Sequence, residues 1–252
     1  MNPVAPSGHP NKVNSGRIFL TAEWRNLVLL NYEVDASLLV PFVPAGTEID
    51  SWNAKVFVSL VGFQFLKTRV FGMPIPLHSN FDEVNLRFYV RRRENSEVRR
   101  GVVFIREIVP RRAIALVART FYNENYVALP MAHDIGTADD GGITAAYRWR
   151  YRRNWSGMCF HSQGNPEPLQ DGSEEQFIAE HYWGYAAQRD GSCVEYQVTH
   201  PSWRVWQARR AEFHGNAEEL YGREFAAVLS GEPASAFLAE GSAVTVMRGR
   251  RL

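Results

Sequence analysis

Glu83, Asn85 and Arg87 occupy every second position of the run Asp82-Glu83-Val84-Asn85-Leu86-Arg87-Phe88-Tyr89-Val90. Successive side chains of an extended chain point to opposite faces, so these three share one face with Tyr89. Val84, Leu86, Phe88 and Val90 form an apolar face behind them. A carboxylate, an amide, a guanidinium and a phenol on one face are groups that bind and orient a small polar molecule. Arg87 would hold a carboxylate through paired N–H donors. Glu83 would accept from a hydroxyl, or act as an acid or base where burial raises its pKa. At about 3.3 Å per residue the Cα atoms of Glu83 and Arg87 are roughly 13 Å apart. They are too distant to pair directly but well spaced to grip the two ends of a ligand lying over Asn85. The competing reading is an antiparallel strand with one wet face, and the residues alone leave both open.

Other candidates are more scattered. His200 ends a strand directly before Pro201, where a side chain projects into a cavity mouth or into solvent, and it is the candidate acid partner of Glu83. His181 falls on the same predicted helix face as Phe177 and Tyr185 and reads as a hydrogen-bonded core histidine. Arg119 is a second candidate for holding a carboxylate; equally, it is a cation suited to the last turns of a helix. No HExxH and no zinc-like Cys/His spacing occurs, and neither a GxGxxG loop, a Walker A loop nor a GxSxG elbow is present. Neither a metal nor another cofactor is expected. Only three of the 28 basic residues are lysines, Lys12, Lys55 and Lys67, so chemistry that needs an amine has few side chains to use.

The elements that must position these residues are mostly strands. Residues 17–34 read as extended, and Asp35 caps a short helical turn that stops before Pro41. Residues 55–70 form a long strand, bent or bulged at Gly62. A loop with Gly72, Pro74 and Pro76 leads into the Glu83 strand. Residues 91–100 are a charged hairpin tip and 101–109 the return strand. Pro110 opens a helix over 111–122. Residues 142–153 alternate strictly and pair with 155–161. Ser173-Glu174-Glu175-Gln176 is a capping box, opening a helix expected to run through Tyr185 and end near Gly191. Strands follow over 193–200 and 203–213, then a helix over 216–229 closed by Gly231, and a last short strand over 242–247. A predominantly antiparallel sheet with three or four helices is an α+β pattern.

The chain has 252 residues and a net charge of +1, so nothing global draws it toward nucleic acid or a membrane surface. Arginine clusters at 91–93, 99–100, 111–112 and 148–153 read as solvated turns and strand faces. Cys159 and Cys193 allow one disulfide at most, a usage that suits a reducing compartment. Residues 1–16 read as a flexible tail without the apolar run of a secretory leader. No stretch approaches the roughly 20 apolar residues of a membrane helix. A cytoplasmic protein, with 17–252 as its one domain, is expected.

Four stretches also carry a resemblance: Phe19-Leu20-Thr21-Ala22-Glu23-Trp24-Arg25; the Asp82–Val90 strand with Gly101-Val102-Val103-Phe104; Phe177-Ile178-Ala179-Glu180-His181-Tyr182-Trp183; and Val198-Thr199-His200-Pro201-Ser202-Trp203. In this order the chain resembles the YqjF-like family of uncharacterised bacterial proteins, from about Arg17 to the C-terminus. That family is similar in fold to acetoacetate decarboxylase, which implies a large, strongly bent antiparallel sheet closing into a cone-like β-barrel. Those decarboxylases form a Schiff base on a lysine whose pKa is lowered by an adjacent cation, in a lysine pair that follows Phe-Pro. The matching segment here is Leu129-Pro130-Met131-Ala132, which has no amine. The resemblance makes Glu83 the counterpart of a pocket glutamate and projects Met131 into the same cavity. It also implies a homo-oligomer, by analogy alone.

These readings converge on a barrel that binds a small organic acid or similar ligand in a pocket lined by Glu83, Arg87, Arg119, Met131 and His200. A lysine-independent lyase or hydratase, with Glu83 as general base and His200 as acid, is the second reading. A structural or protein-binding module, with its cavity filled by aromatic side chains, is the third.

Overall fold

The computed structural model describes residues 16–74, 79–110 and 125–252. The expected tail up to residue 15 and the helix expected over 111–122, with Arg119 on it, lie outside the described residues.

The chain is dominated by strands. They are β1 (Ile18–Glu33), β2 (Glu48–Ile49), β3 (Phe57–Val70), β4 (Met73–Pro74), β5 (Phe81–Glu94), β6 (Glu97–Val109), β7 (Tyr126–Ala128) and β8 (Met131–Thr137). After these come β9 (Ile143–Tyr151), β10 (Asn154–His161), β11 (Glu167–Pro168), β12 (Trp183–Ala187), β13 (Cys193–Thr199), β14 (Arg204–Gln207), β15 (Arg210–His214), β16 (Ser235–Met247) and β17 (Arg250–Arg251). In the larger sheet β16, β1, β3, β5, β6, β12 and β13 are neighbours in that order, and β13 pairs back to β16 through Val198↔Val246 and Thr199↔Thr245. The hydrogen bonding therefore closes into a ring. Its junctions are antiparallel except β6–β12, which is parallel at Trp183↔Gly101 and Gly184↔Val102. The sheet is predominantly antiparallel, as expected, with this one parallel junction in the ring. The smaller sheet has the order β15-β10-β9-β8.

Strands of 13 to 16 residues bend this sharply because extra residues interrupt their pairing, and a bulge adds local twist and curvature. The β1–β3 register shifts between Thr21 and Glu23 and again between Arg25 and Val28. Asn26 and Lys67 both take a φ of 54° at these interruptions. The β5–β6 register shifts between Leu86 and Arg87.

Each face of the ring has its own core. Outside, Val28, Leu60, Leu86 and Phe88 pack with Tyr147, Trp149 and Phe160 of the smaller sheet and with Phe225 and Leu229 of the helix Arg223–Leu229. Inside, Leu27, Phe63, Phe65, Tyr89 and Val102 pack with Phe177 and Ile178 of the helix Glu174–Ala179. Gly62 itself pairs with both Val28 and Val84, and the interruption of the β1–β3 register lies directly beside it, between Gln64 and Gly62. Its role is close packing, since a Cβ there would lie 2.7 Å from the Tyr147 ring.

Other expectations change as well. Ser173 caps its helix, accepting from the Gln176 N–H, but the helix ends at Ala179. Gly184 and Tyr185 instead belong to β12, where the Tyr196 ring lies so close that a Cβ on Gly184 would overlap it. Pairing with β6 and β13 outweighs helix continuation. Residues 203–213 split into β14 in the larger sheet and β15 in the smaller. The helix expected over 216–229 is broken at Gly222, where φ is 85°. The last long strand begins at Ser235, ahead of the expected 242. No helix among the described residues is long and apolar enough to cross a membrane.

Candidate functional site

The inner face of the ring encloses a cavity of about 140 Å³. β5 supplies Glu83, Asn85 and Arg87 to its wall, while its alternate residues Val84, Leu86 and Phe88 are sealed in the outer core. The polar face of this strand is therefore turned inward, to a cavity and not to bulk water.

Opposite Asn85 on β6 stands Glu107. This placement depends on the interrupted register: Leu86 pairs with Arg106 and Arg87 with Phe104, so Ile105 is the extra residue. Val102 and Phe104 face the cavity before the bulge and Glu107 after it. Without that one residue the parity of the strand would put Arg106 there instead. Glu83, Asn85 and Glu107 are 3%, 1% and 1% exposed. The Asn85 amide donates to Glu83 Oε1 at 3.0 Å, and the Tyr126 hydroxyl donates to Glu83 Oε2 at 3.4 Å. This is the acidic end of the cavity.

The remaining polar groups are nitrogenous. Arg87 donates from Nη2 to the Ile178 carbonyl at 3.3 Å. The His200 ring stacks on Trp203 with centroids 3.9 Å apart and lies 4.8 Å from the ring of Tyr182. Burial pushes its pKa down to about 4, and the Arg87 charge acts in the same direction. His200 Nδ1 lies 2.9 Å from the Pro201 carbonyl. A carbonyl only accepts, so the neutral ring carries its proton on Nδ1 and leaves Nε2 with a lone pair. At neutral pH this histidine offers an acceptor, not the proton expected of an acid partner.

His181 also lines the cavity. It is buried beside Tyr89 and Phe177, with ring centroids at 4.7 and 5.0 Å, and its Nε2 lies 3.5 Å from Asp50 Oδ2. Burial pushes its pKa down to about 4. For Asp50 burial acts upward, but the nearby His181 and the hydrogen-bonded Arg100 outweigh it and hold the carboxyl at about 2. Arg100 donates from Nε to Asp50 Oδ2 at 2.7 Å. Aromatic side chains complete the wall, among them Trp24, Phe63, Phe65 and Trp203.

Of the residues proposed from sequence, Glu83, Arg87 and His200 come together around this cavity. Met131 does not line it. Leu129 N–H still bonds to the Val109 carbonyl beside β6, but after Pro130 the chain crosses to the smaller sheet, where Met131 pairs with Trp149 and packs on the outer core. Lys55 pairs with Glu33 at 3.0 Å and Lys67 with Glu23 at 2.6 Å, and no lysine is among the described residues that line the cavity. No three His, Cys, Asp or Glu side chains of the described residues are arranged to hold a metal ion. Glu107, Tyr126 and the wall position of His181 were missed from sequence. Glu107 had a faint signal, as the one acid in the return strand, but its facing depends on the bulge.

Three known proteins show what the chain is similar to. It superposes on the acetoacetate decarboxylase of Legionella pneumophila with a TM-score of 0.63 at 14% identity, covering 97% of this chain and 91% of that one. The enduracididine biosynthesis enzyme MppR, in a structure with bound HEPES buffer, matches with a TM-score of 0.67 at 11% identity, over 99% and 96% of the two chains. The fold is therefore acetoacetate decarboxylase-like. In sequence the chain is 26% identical over 201 residues, 78% of each protein, to the uncharacterised protein YqjF of Bacillus subtilis strain 168. The model of the DUF2071 family, described as an uncharacterised conserved protein, matches residues 21–243, and the chain belongs to that family.

Proposed function

We propose that this protein binds a small carboxylic acid with a short apolar body, its carboxylate on Arg87 and its body against the aromatic wall. The observation that carries this reading is the state of Arg87. Arg87 lines the cavity away from its acidic end, its buried Nε has no hydrogen-bond partner, and no carboxylate of the described residues pairs with it. Arg87 is half-buried, and a guanidinium on a cavity wall with donors unused offers an anion paired N–H contacts. Size supports a ligand of a few carbons: an apolar cavity of ~150 Å³ accommodates benzene, and this one measures about 140 Å³. The chemistry of the fold neighbours is in keeping, one being named for acetoacetate and MppR having a structure complexed with pyruvate. Binding here is lysine-independent, so a Schiff base is not part of the reading.

The burial of Glu83 favours a second reading, a lyase or hydratase acting on a keto or hydroxy acid. In that case Glu83 is the general base, and His200 serves as an acceptor through Nε2.

The test is a thermal-shift and calorimetric comparison of wild type, Arg87→Ala and Glu83→Gln with isovalerate as probe. Loss of a charge-assisted bond worth about 1.5–3 kcal/mol weakens isovalerate at least tenfold in Arg87→Ala. Glu83→Gln retains binding. Equal affinity in Arg87→Ala and wild type would refute the carboxylate assignment. Turnover of any keto or hydroxy acid that disappears in Glu83→Gln would favour the enzymatic reading.

A further inference from the structure

The two histidines of the cavity wall differ in what they can offer a ligand. Both ring nitrogens of His181 are sealed from solvent. His200 is only half-buried, and its Nε2, which no group of the described residues occupies, keeps accessible surface. Its Nδ1 is committed to the Pro201 carbonyl at 2.9 Å, which fixes the proton there and the lone pair on Nε2. The ring is also held in place. It stacks on Trp203 at 3.9 Å with 12° between the planes, and Trp203 is anchored by its Nε1 donating to Ser242 Oγ at 2.9 Å.

Arg87 lines the same cavity, and its charge reaches the His200 ring, where it adds to burial in disfavouring a second proton. A few-carbon acid with its carboxylate on Arg87 shares a space of about 140 Å³ with this lone pair. A lone pair only accepts. It repels a keto oxygen and gains nothing from a methylene, whereas an O–H satisfies it. An ammonium would donate as well, but the guanidinium charge that opposes a proton on His200 also opposes a second cation beside it.

We propose that His200 accepts a hydrogen bond through Nε2 from a hydroxyl on the ligand, so that the cavity selects a small hydroxy acid over its keto, amino and unsubstituted counterparts. The inference rests on the reading of the cavity as a carboxylate site and names the ligand class for it. A ligand hydroxyl matched to an acceptor in the wall discriminates against analogues without the donor, because these displace water from the acceptor and leave it unpaired.

Four probes on one carbon skeleton test it: α-hydroxyisovalerate, α-ketoisovalerate, isovalerate and valine. They are titrated calorimetrically at neutral pH into wild type, His200→Phe and Arg87→Ala. Wild type is expected to bind the hydroxy acid about tenfold more tightly than each other probe, a difference of about 1.4 kcal/mol. In His200→Phe, which keeps a ring to stack on Trp203 but removes both nitrogens, the hydroxy acid loses its advantage over isovalerate. An advantage unchanged in that variant overturns the assignment to His200. A wild type that binds the keto acid or valine as tightly as the hydroxy acid overturns the selection. Equal binding of all four probes, still weakened by Arg87→Ala, overturns this inference and leaves the carboxylate reading standing. Binding of none overturns both. Where His200→Phe does not fold, the ring-nitrogen NMR shifts of His200 in the unmutated protein decide: Nε2 moves on addition of α-hydroxyisovalerate and not of isovalerate. Identical shifts with both probes refute the hydrogen bond.

Discussion

Buried charge and buried imidazole set the behaviour of single residues. His181 has its pKa pushed down to about 4 from 6.5, and His200 likewise. A histidine with a depressed folded pKa takes up its proton more readily when unfolded. Between pH 6.5 and 4 the unfolded chain therefore binds more protons, and stability falls as the pH falls. For His181 alone the loss approaches about 3 kcal/mol at the acid end of that window. Asp50, held at about 2, loses its stabilising effect only as pH falls below its ordinary value of 3.8, so it does not contribute within the window. Urea unfolding followed across this range should show the midpoint moving down with acid, and the slope should flatten in His181→Phe. An unchanged slope in that variant would assign the acid sensitivity to other groups. The residue scale also explains why Arg87 and Glu83, on one strand face, do not neutralise each other: Asn85 and Tyr126 bond to Glu83, while Arg87 reaches the backbone at Ile178.

Single elements are shaped by their interruptions and close contacts. The extra residue at Ile105 turns Glu107 inward, and those at Asn26 and Lys67 curve β1 and β3 around the cavity. Gly62 lies where the larger sheet packs closely on Tyr147 and Met158 of the smaller one. An alanine there would push into the Tyr147 ring at 2.7 Å, and that ring is tethered by its hydroxyl to the Asn26 carbonyl at 2.9 Å. Gly62→Ala should destabilise by about 1–3 kcal/mol, the usual cost of overpacking, measured as a lower urea midpoint with unchanged slope. A neutral effect would mean that the Tyr147 ring moves aside freely. Ser173→Ala removes the cap on the Gln176 N–H and should cost about 1 kcal/mol. Because that helix carries Phe177 and Ile178 and leads into His181, the same variant should weaken ligand binding modestly, and a titration would show it.

For the molecule as a whole, the ring is thinnest at its closure, where β13 and β16 share only two paired positions, and at the parallel junction of β6 and β12, which has two as well. Next to it lies a buried ionic hub. Glu195 on β13 is 1% exposed and accepts from Arg92 at 3.3 Å, Arg99 at 2.9 Å, Arg250 at 2.8 Å and the Tyr185 hydroxyl at 3.1 Å. These donors come from β5, β6, β17 and β12, so one carboxylate ties together strands on both sides of the parallel junction. Removing Glu195 takes away one anion of the cluster while Arg92, Arg99 and Arg250 keep Glu94 as a partner, and losing hydrogen bonds to charged groups costs about 1.5–3 kcal/mol. Glu195→Gln should lower stability by that order in chemical denaturation, with hydrogen exchange accelerating first along β12, β13 and β17. A loss well under 1 kcal/mol would show that solvent reaches the guanidinium groups and screens them.

Much of this architecture is local and can be read along the chain. Alternation at 82–90 puts Glu83, Asn85 and Arg87 on one face and Val84 and Leu86 on the other, and the structure decides which of the two looks into the ring. The same period recovers the pairing of 143–151 with 154–161, and Asp35 and Ser173 announce helical starts through their side chains. Resemblance in four short stretches points to the fold. What the sequence could not decide are matters of register and approach. Whether residues 180–187 stay helical depends on β6 and β13 being there to pair with them. Whether Arg106 or Glu107 enters the cavity depends on where one extra residue is accommodated in a hairpin. Whether Met131 faces the ring or the smaller sheet depends on a crossing after Pro130, and the place of His181 in the wall depends on Asp50, more than a hundred residues away. Periodicity and capping are properties of neighbours in sequence. Bulge position, strand order and the lining of a cavity are settled by contacts between segments far apart in the chain, and they exist only once the ring has closed.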